Sequence, residues 1–314
     1  MPERVPETGK ELRPETGSGV APAPESAKAH AAEAATAPRS VPASAADPGP
    51  HAVPSKAGPP KLRVTDLHVV YRGRGGDDIE AVRGVSFDIH DKPLIGELVV
   101  FLGPSGCGKS TILKAVAGLF PPTRGEVLVE GFPVEGPGRD RGMVFQQYTS
   151  FSWLTVQQNV EYGLRLRGVP AAERREQAHA ILKAVGLLQF AAKYPKDLSG
   201  GMKQRVAIAR TLINKPKLLL MDEPFGALDP QTRWEMQGML IDISHREDNT
   251  ILFVTHDVAE AVYLADTVYI LSQRPAQILH RVDIPTFEDR SLAVKASPEF
   301  RRCEEQLLTL LYRQ

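Results

Sequence analysis

The sequence predicts an α/β fold whose mostly parallel β-sheet is interrupted by a helical insert. Continuous apolar runs at residues 98–102, 217–221 and 250–254 are typical of strands that are buried on both faces of a parallel sheet. Between the first and second runs, apolar residues recur at helical spacing over residues 155–190. Together these observations indicate helices inserted between strands of a single sheet.

Length and charge limit the classes of protein that fit. The 314 residues suit one large domain or two modest ones, and a hydrophobic content of 42% can form a core. Lys+Arg and Asp+Glu are both 38, so the chain lacks the basic excess of a protein held mainly on nucleic-acid phosphates. Two cysteines, Cys107 and Cys303, are too few for a disulfide framework and indicate a reducing compartment. No run of about 18 apolar residues predicts a membrane-spanning helix.

The first 60 residues differ in composition from the rest of the chain. They hold 12 of the 26 prolines and 14 alanines, and they contain no Phe, Trp or Tyr. Because so little apolar surface cannot offset the entropy cost of ordering, we predict that residues 1–60 form a disordered Ala/Pro-rich tail. No basic segment precedes an apolar one, so the tail is not a secretory signal. Either an inert tail or a regulatory docking segment fits this composition.

The folded part is expected to begin at residue 61. Alternating apolar residues over 62–71 and 81–89 predict the first strands of an N-terminal antiparallel β subdomain. At the other end, Ser297 and Pro298 are typical of a helix start, and an apolar stripe follows at Phe300, Cys303, Leu307, Leu308 and Leu311. We therefore assign residues 61–285 to the main domain and residues 286–314 to a C-terminal helical extension.

A glycine-rich loop follows the first buried strand. It matches the pattern G-x-x-x-x-G-K-[ST], and its residues are Gly103, Pro104, Ser105, Gly106, Cys107, Gly108, Lys109, Ser110 and Thr111. Consecutive backbone N–H groups in such a loop surround phosphate oxygens, and the helix that follows adds partial positive charge. Lys109 is expected to reach the β- and γ-phosphates and Ser110 to bind Mg²⁺. An ordinary Gly-rich turn is the alternative, but a strand before the loop and a helix after it favour phosphate binding.

A second apolar strand ends in an acidic pair, 113 residues after Lys109. Next to a phosphate loop, one carboxylate is expected near Mg²⁺ and the other near the attacking water. Asp222 is therefore the candidate on the metal side, and Glu223 is the candidate general base. The alternative is a buried strand whose acidic end is merely solvated.

The stretch Leu-Ser-Gly-Gly-Met-Lys-Gln-Arg at residues 198–205 is the most informative part of the sequence. Ser199 suits the N-cap of a helix that continues to Leu212. The glycine pair Gly200 and Gly201 leaves the backbone open to an anion, and the helix dipole favours negative charge there. Because the chain has one phosphate loop, we expect this second anion-binding helix start to face the nucleotide of another subunit.

These motifs together resemble those of the ATP-binding subunits of ABC transporters. The similarity extends over residues 62–285 and includes the family's motifs in order. It implies an ABC ATPase fold, which is a P-loop NTPase core with a mostly parallel sheet, an N-terminal antiparallel β subdomain and an α-helical insert over residues 146–200. By this resemblance, residues 103–111 are the Walker A loop, residues 198–204 are the signature and residues 221–223 end the Walker B strand.

The resemblance also implies roles that the residues alone do not assign. Gln146 takes the position of the Q-loop glutamine, a ligand for Mg²⁺ or water, and Gln147 is the alternative register. His256 takes the position of the switch histidine that contacts the γ-phosphate, and Asp229 lies in the D-loop, which acts across the dimer. Tyr71 takes the position of the ring that stacks on adenine. The alternatives are that Tyr71 is a core residue, that His256 is a structural residue at a strand end, and that Asp229 is a turn residue.

Two departures from the common family pattern resemble importers of the nitrate, sulfonate and taurine group. Met202 stands where many relatives have glutamine, and residues 151–156 are similar to a Pro-Trp-Leu-Thr run with Ser152 in place of the proline. The resemblance therefore implies the motor subunit of an importer that uses ATP and Mg²⁺ to drive uptake of a small anionic solute. Export remains the alternative to import. The sequence does not name the solute, because solute contacts lie on other chains.

The resemblance further implies partners and a location. Two copies would clasp ATP head to tail, on the cytoplasmic face of the membrane, bound to permease subunits and indirectly to a solute-binding protein. The permease would dock on the helical insert at Phe151, Trp153, Leu154 and Tyr162, unless these residues only fill the core of the insert.

Two other functional classes fit the sequence less well than the importer. A soluble ABC-type ATPase acting on nucleic acid or the ribosome is disfavoured by the balanced charge and by the lack of a coiled coil or a second ATPase half. A small-molecule P-loop kinase would not explain the signature stretch.

Overall fold

The fold was analysed in a computed structural model of the chain. It describes residues 60–73, 76–90, 96–147, 149–246, 249–287 and 291–312. The predicted disordered tail lies outside these ranges except for Pro60, so its state stays a prediction.

The described ranges contain ten strands and eight α-helices. The strands are β1 (Leu62–Arg72), β2 (Asp78–Ile89), β3 (Leu98–Leu102), β4 (Arg124–Val129), β5 (Phe132–Pro133), β6 (Arg141–Val144), β7 (Leu218–Asp222), β8 (Thr250–Thr255), β9 (Thr267–Leu271) and β10 (Ile278–Asp283). The α-helices are α1 (Lys109–Val116), α2 (Val156–Val160), α3 (Tyr162–Leu166), α4 (Ala171–Ala184), α5 (Gly200–Leu212), α6 (Pro230–Arg246), α7 (Val258–Leu264) and α8 (Pro298–Tyr312). Short 3₁₀ helices lie at Leu188–Phe190, Pro195–Asp197 and Leu292–Ala296.

The strands form two sheets. One sheet has the order β2-β1-β4-β5 and is antiparallel throughout. The other has the order β10-β9-β3-β8-β7-β6 and is parallel except at its β9–β10 edge. Every residue of β3, β7, β8 and β9 is buried, because layers cover both faces of this sheet. The predicted fold class, with its N-terminal antiparallel subdomain, is confirmed.

Alternating side chains of the parallel sheet enter two different cores. Val99 and Phe101 pack with α1 and the antiparallel sheet, whereas Leu98, Val100 and Leu102 pack with residues of α5 to α8. This division follows from the two-residue period of a strand, which points neighbouring side chains to opposite faces. The phosphate loop leaves β3 between these two layers.

The insert between β6 and β7 has a separate core. Thr155 and Gln158 form a capping box at the start of α2. After α4, Gly186 takes a φ of 71°, and the Leu187 N–H donates to the Leu182 carbonyl at 2.7 Å. This left-handed turn ends the helix and brings Leu187 back against Leu182 in the core. The expected helical segment is therefore present.

Helix α8 packs the C-terminus onto the main core. Its N-cap, Ser297, accepts a hydrogen bond from the Phe300 N–H at 3.2 Å. Phe300 and Leu307 are buried in the same core as α7, and the Phe300 ring lies 5.7 Å from that of Phe287. In the ranges described, every helix is too short or too polar to cross a bilayer.

We expect Phe300→Ala to lower the free energy of unfolding by about 3–5 kcal/mol, because it empties a fully buried site. Chemical denaturation followed by circular dichroism measures this change. Tyr312→Ala on the same helix is the control, because that ring is 79% exposed and its loss should change stability by about 0.5 kcal/mol or less. Equal stability of the two variants would show that α8 does not contribute to the core.

Candidate functional site

The glycine-rich loop runs from the end of β3 to the start of α1, as predicted. Gly108 has a φ of 126°, and a Cβ there would lie 2.4 Å from the Ala81 carbonyl oxygen. Glycine is therefore the residue that permits this close approach of the loop to β2. Gly106 also has a positive φ, 74°, which turns the backbone before the helix. Burial raises the pKa of the Cys107 thiol, which is enclosed in the core.

Lys109 lies inside the loop that precedes it. Its Nζ donates hydrogen bonds to the carbonyls of Gly103 and Pro104, both at 2.8 Å, and lies 3.7 Å from Glu223 Oε1. The side chain is only 3% exposed. These oxygens compensate an ammonium group whose burial without partners would be strongly unfavourable.

Asp222 lies at the end of β7, directly beside the first turn of α1. The Ser110 hydroxyl donates to Asp222 Oδ1 at 2.6 Å, which joins the two parts of the site across the sheet. Burial raises the pKa of the Asp222 carboxyl, and the hydrogen bond from Ser110 opposes this shift by stabilising the ionised form. The sequence separation of these residues is 112, so only the parallel strand order brings them together.

Glu223 turns away from the strand in a left-handed conformation, with a φ of 43°. Such a conformation costs a non-glycine residue about 1–3 kcal/mol. The Glu223 N–H donates to the Val254 carbonyl of β8 at 3.1 Å, which holds this backbone in place. Its Oε2 lies 3.3 Å from Nδ1 of His256, at the end of β8. The carboxylate is thus held between Lys109 and His256.

Gln146 and Asp229 both lie at the turn that follows Glu223. A Cβ at Gly226 would be 3.9 Å from Gln146 Nε2, which places the glutamine beside this turn. Asp229 accepts a hydrogen bond from the Thr232 N–H at 3.0 Å and so begins α6. This bond lowers the pKa of the exposed Asp229 carboxyl.

The signature residues form the start of α5. Ser199 Oγ accepts a hydrogen bond from the Met202 N–H at 3.3 Å, as expected of an N-cap. A Cβ at Gly201 would lie 2.3 Å from Thr232 Cγ2, so this glycine allows α5 to approach the start of α6. Within the described ranges, no hydrogen bond joins Ser199, Gly200 or Gly201 to the phosphate loop. The hydrogen bonds of this helix start are thus made within α5 itself.

Tyr71 lies at the end of β1, near the first turn of α1. Its hydroxyl is 3.1 Å from the Thr111 hydroxyl, and its ring contacts Phe120 edge to face at 6.0 Å. The side chain is partly buried. Tyr71 is thus held at the rim of the phosphate loop by two contacts.

Two arginines at the site were missed by sequence reasoning. Arg274 donates from Nε and Nη2 to the Gly106 carbonyl at 3.1 and 3.0 Å, across a separation of 168 residues. Arg233 donates to the carbonyls of Phe225 and Leu228, in the turn after Glu223. In the sequence, the position of Arg233 one helical turn after Asp229 was the only indication that it lies near the site. Nothing in the sequence linked Arg274 to the phosphate loop.

The structure thus shows two groups of contacts. Lys109 and Ser110 of the phosphate loop contact Glu223 and Asp222, and Glu223 contacts His256, so this group can bind phosphate, a cation and a water molecule. The start of α5 and the D-loop aspartate lie beside each other, joined through Thr232.

Comparison with known proteins supports the family resemblance. The ABC transporter family matches residues 82–226. A nitrate import ATP-binding protein, NrtD of Synechocystis sp., is 48% identical over 256 residues, which cover 80% of this chain and 94% of that protein. A taurine import ATP-binding protein, TauB of Rhizobium johnstonii, is 42% identical over 258 residues, which cover 80% of this chain and 96% of that protein.

A solved structure shows the same fold. It is the dimer of an ATP-binding cassette in a post-hydrolysis state, bound to ADP and Pi. The TM-score is 0.64 at 32% identity, over 72% of this chain and all of that one. With the ATP-binding relatives, this likeness confirms what the sequence motifs predicted: the chain belongs to the ABC transporter family, as an ATP-binding cassette that hydrolyses ATP.

Proposed function

We propose that this chain is the ATP-hydrolysing subunit of an importer for a small anionic solute such as nitrate or a sulfonate. The observation that carries the hydrolytic part is the junction of the phosphate loop with the acidic pair, through Ser110 to Asp222 and Lys109 to Glu223. Import and the solute class rest on the relatives named for nitrate and taurine import, which match over at least 94% of their length.

In the proposed nucleotide complex, phosphate oxygens replace the present partners of Lys109. The ammonium group now bonds the carbonyls of Gly103 and Pro104, which are weaker partners than the oxygens of an anion. The backbone N–H groups of the loop after Pro104 and of the start of α1 supply further donors to the phosphates. Tyr71, fixed at the rim of the loop, presents its ring to the adenine.

The donors at Ser110 and Asp222 suit Mg²⁺. Hydroxyl and carboxylate oxygens are its preferred ligands, and the 2.6 Å contact shows that these two converge on one place. We assign Ser110, Asp222 and Gln146 to hold this ion, which when bound neutralises charge on the phosphate oxygens. Burial raises the pKa of the Asp222 carboxyl and so favours its protonated form. A cation beside Asp222 would oppose this effect and favour the ionised carboxylate.

Glu223 is proposed as the general base for hydrolysis. Its carboxylate accepts a proton as water attacks the γ-phosphorus, while Lys109 stabilises the charge that develops on the transferring phosphoryl group. His256 contacts Glu223 at 3.3 Å and is placed to orient the carboxylate and to bond the γ-phosphate. The strained backbone of Glu223 favours this role, because strain of that kind is common at catalytic residues.

The signature helix is proposed to complete the nucleotide site of a second copy. Ser199 Oγ accepts from Met202 N–H, and its own proton stays available to donate to a γ-phosphate. The N–H groups of Gly200 and Gly201 lie at the positive end of α5. Asp229, beside them, would face the same interface, and a two-fold dimer would repeat the arrangement in both halves.

The helical insert is the proposed contact with the permease. Phe151 lies 4.8 Å from the Tyr162 ring and 5.4 Å from Trp153, and Trp153 is 71% exposed. An exposed aromatic group beside Leu154 suits a short apolar helix of a partner. The same proposal includes a peripheral position on the cytoplasmic face of the membrane and an external solute-binding protein. It also includes the domain bounds at residues 61–285 and 146–200. No observation favours the nucleic-acid alternative.

The first prediction concerns the general base. Glu223→Gln keeps the size of the side chain but cannot accept the proton, so ATP turnover should fall by about 100-fold or more while ATP binding persists. Phosphate release and calorimetric titration of ATP measure the two effects. Glu305→Gln, at an exposed position on α8, is the control and should behave as the wild type. Normal turnover in E223Q would refute the assignment.

The second prediction concerns the dimer. Ser199→Asp keeps an N-cap acceptor for α5 but places negative charge opposite the partner's phosphate, whereas Ser199→Thr keeps the hydroxyl. In the slowly hydrolysing E223Q background, ATP should therefore produce dimers when Ser199 is unchanged and in S199T, but not in S199D, as measured by light scattering. The melting temperature should be similar in all three. ATP-dependent dimers of S199D would contradict the proposed interface.

The third prediction concerns adenine. Tyr71→Ala should weaken ATP binding by about 10-fold, which corresponds to the loss of one base–aromatic contact. It should leave the affinity for tripolyphosphate unchanged, because that ligand has no base. Tyr71→Phe keeps the ring and loses only the hydroxyl contact with Thr111, so its ATP affinity should stay near that of the wild type. An equal loss for ATP and tripolyphosphate in Y71A would exclude stacking.

A further inference from the structure

Helices α6 and α7 each begin directly after a loop of the site. Helix α6 starts at Pro230, after the turn that follows Glu223, and α7 starts at Val258, after His256. The orientation of Glu223 towards His256 therefore depends on how these two helix starts are held together. Two polar contacts join them.

Arg233 makes the outer contact. Its Nε donates to the Phe225 carbonyl at 3.3 Å and its Nη2 donates to the Leu228 carbonyl at 3.1 Å. Its Nη1 lies 3.8 Å from Asp257 Oδ2. One guanidinium group thus links the turn after Glu223 to the residue after His256.

Gln237 makes the inner contact, one turn further along α6. Its Nε2 donates to Glu260 Oε1 at 2.9 Å, and both side chains are at least 93% buried, with exposures of 2% and 7%. Glu260 also shares a hydrogen bond with the Thr255 side chain, whose hydroxyl accepts from the Asp257 N–H at 3.0 Å. Burial raises the pKa of Glu260. Thr255 and Asp257, the two neighbours of His256 in the chain, are therefore both part of the hydrogen-bond network around Glu260.

Asp257 connects the two contacts. Its Oδ1 accepts from the Glu260 N–H at 3.0 Å and caps α7, while its Oδ2 faces Arg233. Arg233 and Glu260 also line the same cavity as Glu223 and His256. Among the hydrogen bonds and ion pairs of the described residues, those of Arg233 go to Phe225, Leu228 and Asp257 and none goes to the phosphate loop.

We propose that Arg233 is a positioning residue for hydrolysis, which holds the turn after Glu223 against Asp257 and thereby sets the carboxylate and His256 relative to each other. The inference rests on the proposed roles of those two residues. An arginine is required because its planar group donates in several fixed directions at once, whereas a lysine ammonium group cannot reach two carbonyls and a carboxylate in this geometry. A misplacement of about 1 Å at a reacting group can cost about 100-fold in rate.

The test compares steady-state ATP hydrolysis by the full chain and its variants. Arg233→Ala and Arg233→Lys should both lower kcat by about 10-fold or more and leave KM within about twofold, because geometry is lost and binding is not. Arg63→Ala is the matched control, since it removes an arginine that pairs with Asp88 at 3.0 Å, and neither of these two residues is part of the proposed site. Melting temperatures show whether each variant is folded. An unchanged kcat, a kcat fully restored in R233K, or a higher KM at unchanged kcat overturns the proposal.

A double-mutant cycle separates positioning from a general loss of stability. Asp257→Asn keeps an acceptor to cap α7 and removes the charge that faces Arg233. If Arg233 acts through Asp257, kcat of R233A/D257N should equal that of the more impaired single variant. Multiplied losses overturn the proposal.

The E223Q variant, measured in parallel, separates this proposal from the catalytic assignment. An inactive E223Q with an unimpaired R233A overturns the positioning role alone, whereas normal turnover of E223Q overturns both.

Discussion

The parallel alignment of β3, β8 and β7 is the constraint on which the rest of the site depends. Parallel strands present their carboxyl ends at one edge of the sheet, so the phosphate loop, His256 and the acidic pair emerge side by side. The Ser110–Asp222 hydrogen bond links the segment that follows β3 to the end of β7, which is two strands away in the sheet. Each strand is buried on both faces, which makes the edge rigid enough to hold charged groups at defined distances.

Most partners of the Lys109 ammonium group at this edge of the sheet are uncharged. Lys109 is enclosed by two carbonyls and by the carboxylate of Glu223. Because a buried ammonium group gains most from a strongly charged partner, this arrangement favours a ligand rich in negative oxygen. In the proposed dimer, the start of α5 of a second copy supplies the remaining contacts to that ligand.

Sequence reasoning identified the main buried strands, the helical insert and the main candidates, because their signals are local. A continuous apolar run predicts a buried strand, and the glycines of the phosphate loop are required by the contacts of the loop itself, as at Gly108. The contacts of Arg274 and Arg233 could not be found in this way. Arginines are common at surfaces, and the contact of Arg274 with Gly106 spans 168 residues, so no local pattern marks it.

By itself the sequence determined the strand and helix types, the phosphate loop, the acidic pair and the family, because each depends on short-range spacing and backbone conformation. Only the tertiary structure decided which of these groups touch. It set Glu223 between Lys109 and His256, placed Gly201 of the signature against Thr232 of α6, and joined α6 to α7 through Arg233 and Glu260. These contacts depend on strand order and helix packing, which bring together residues that are far apart in the chain.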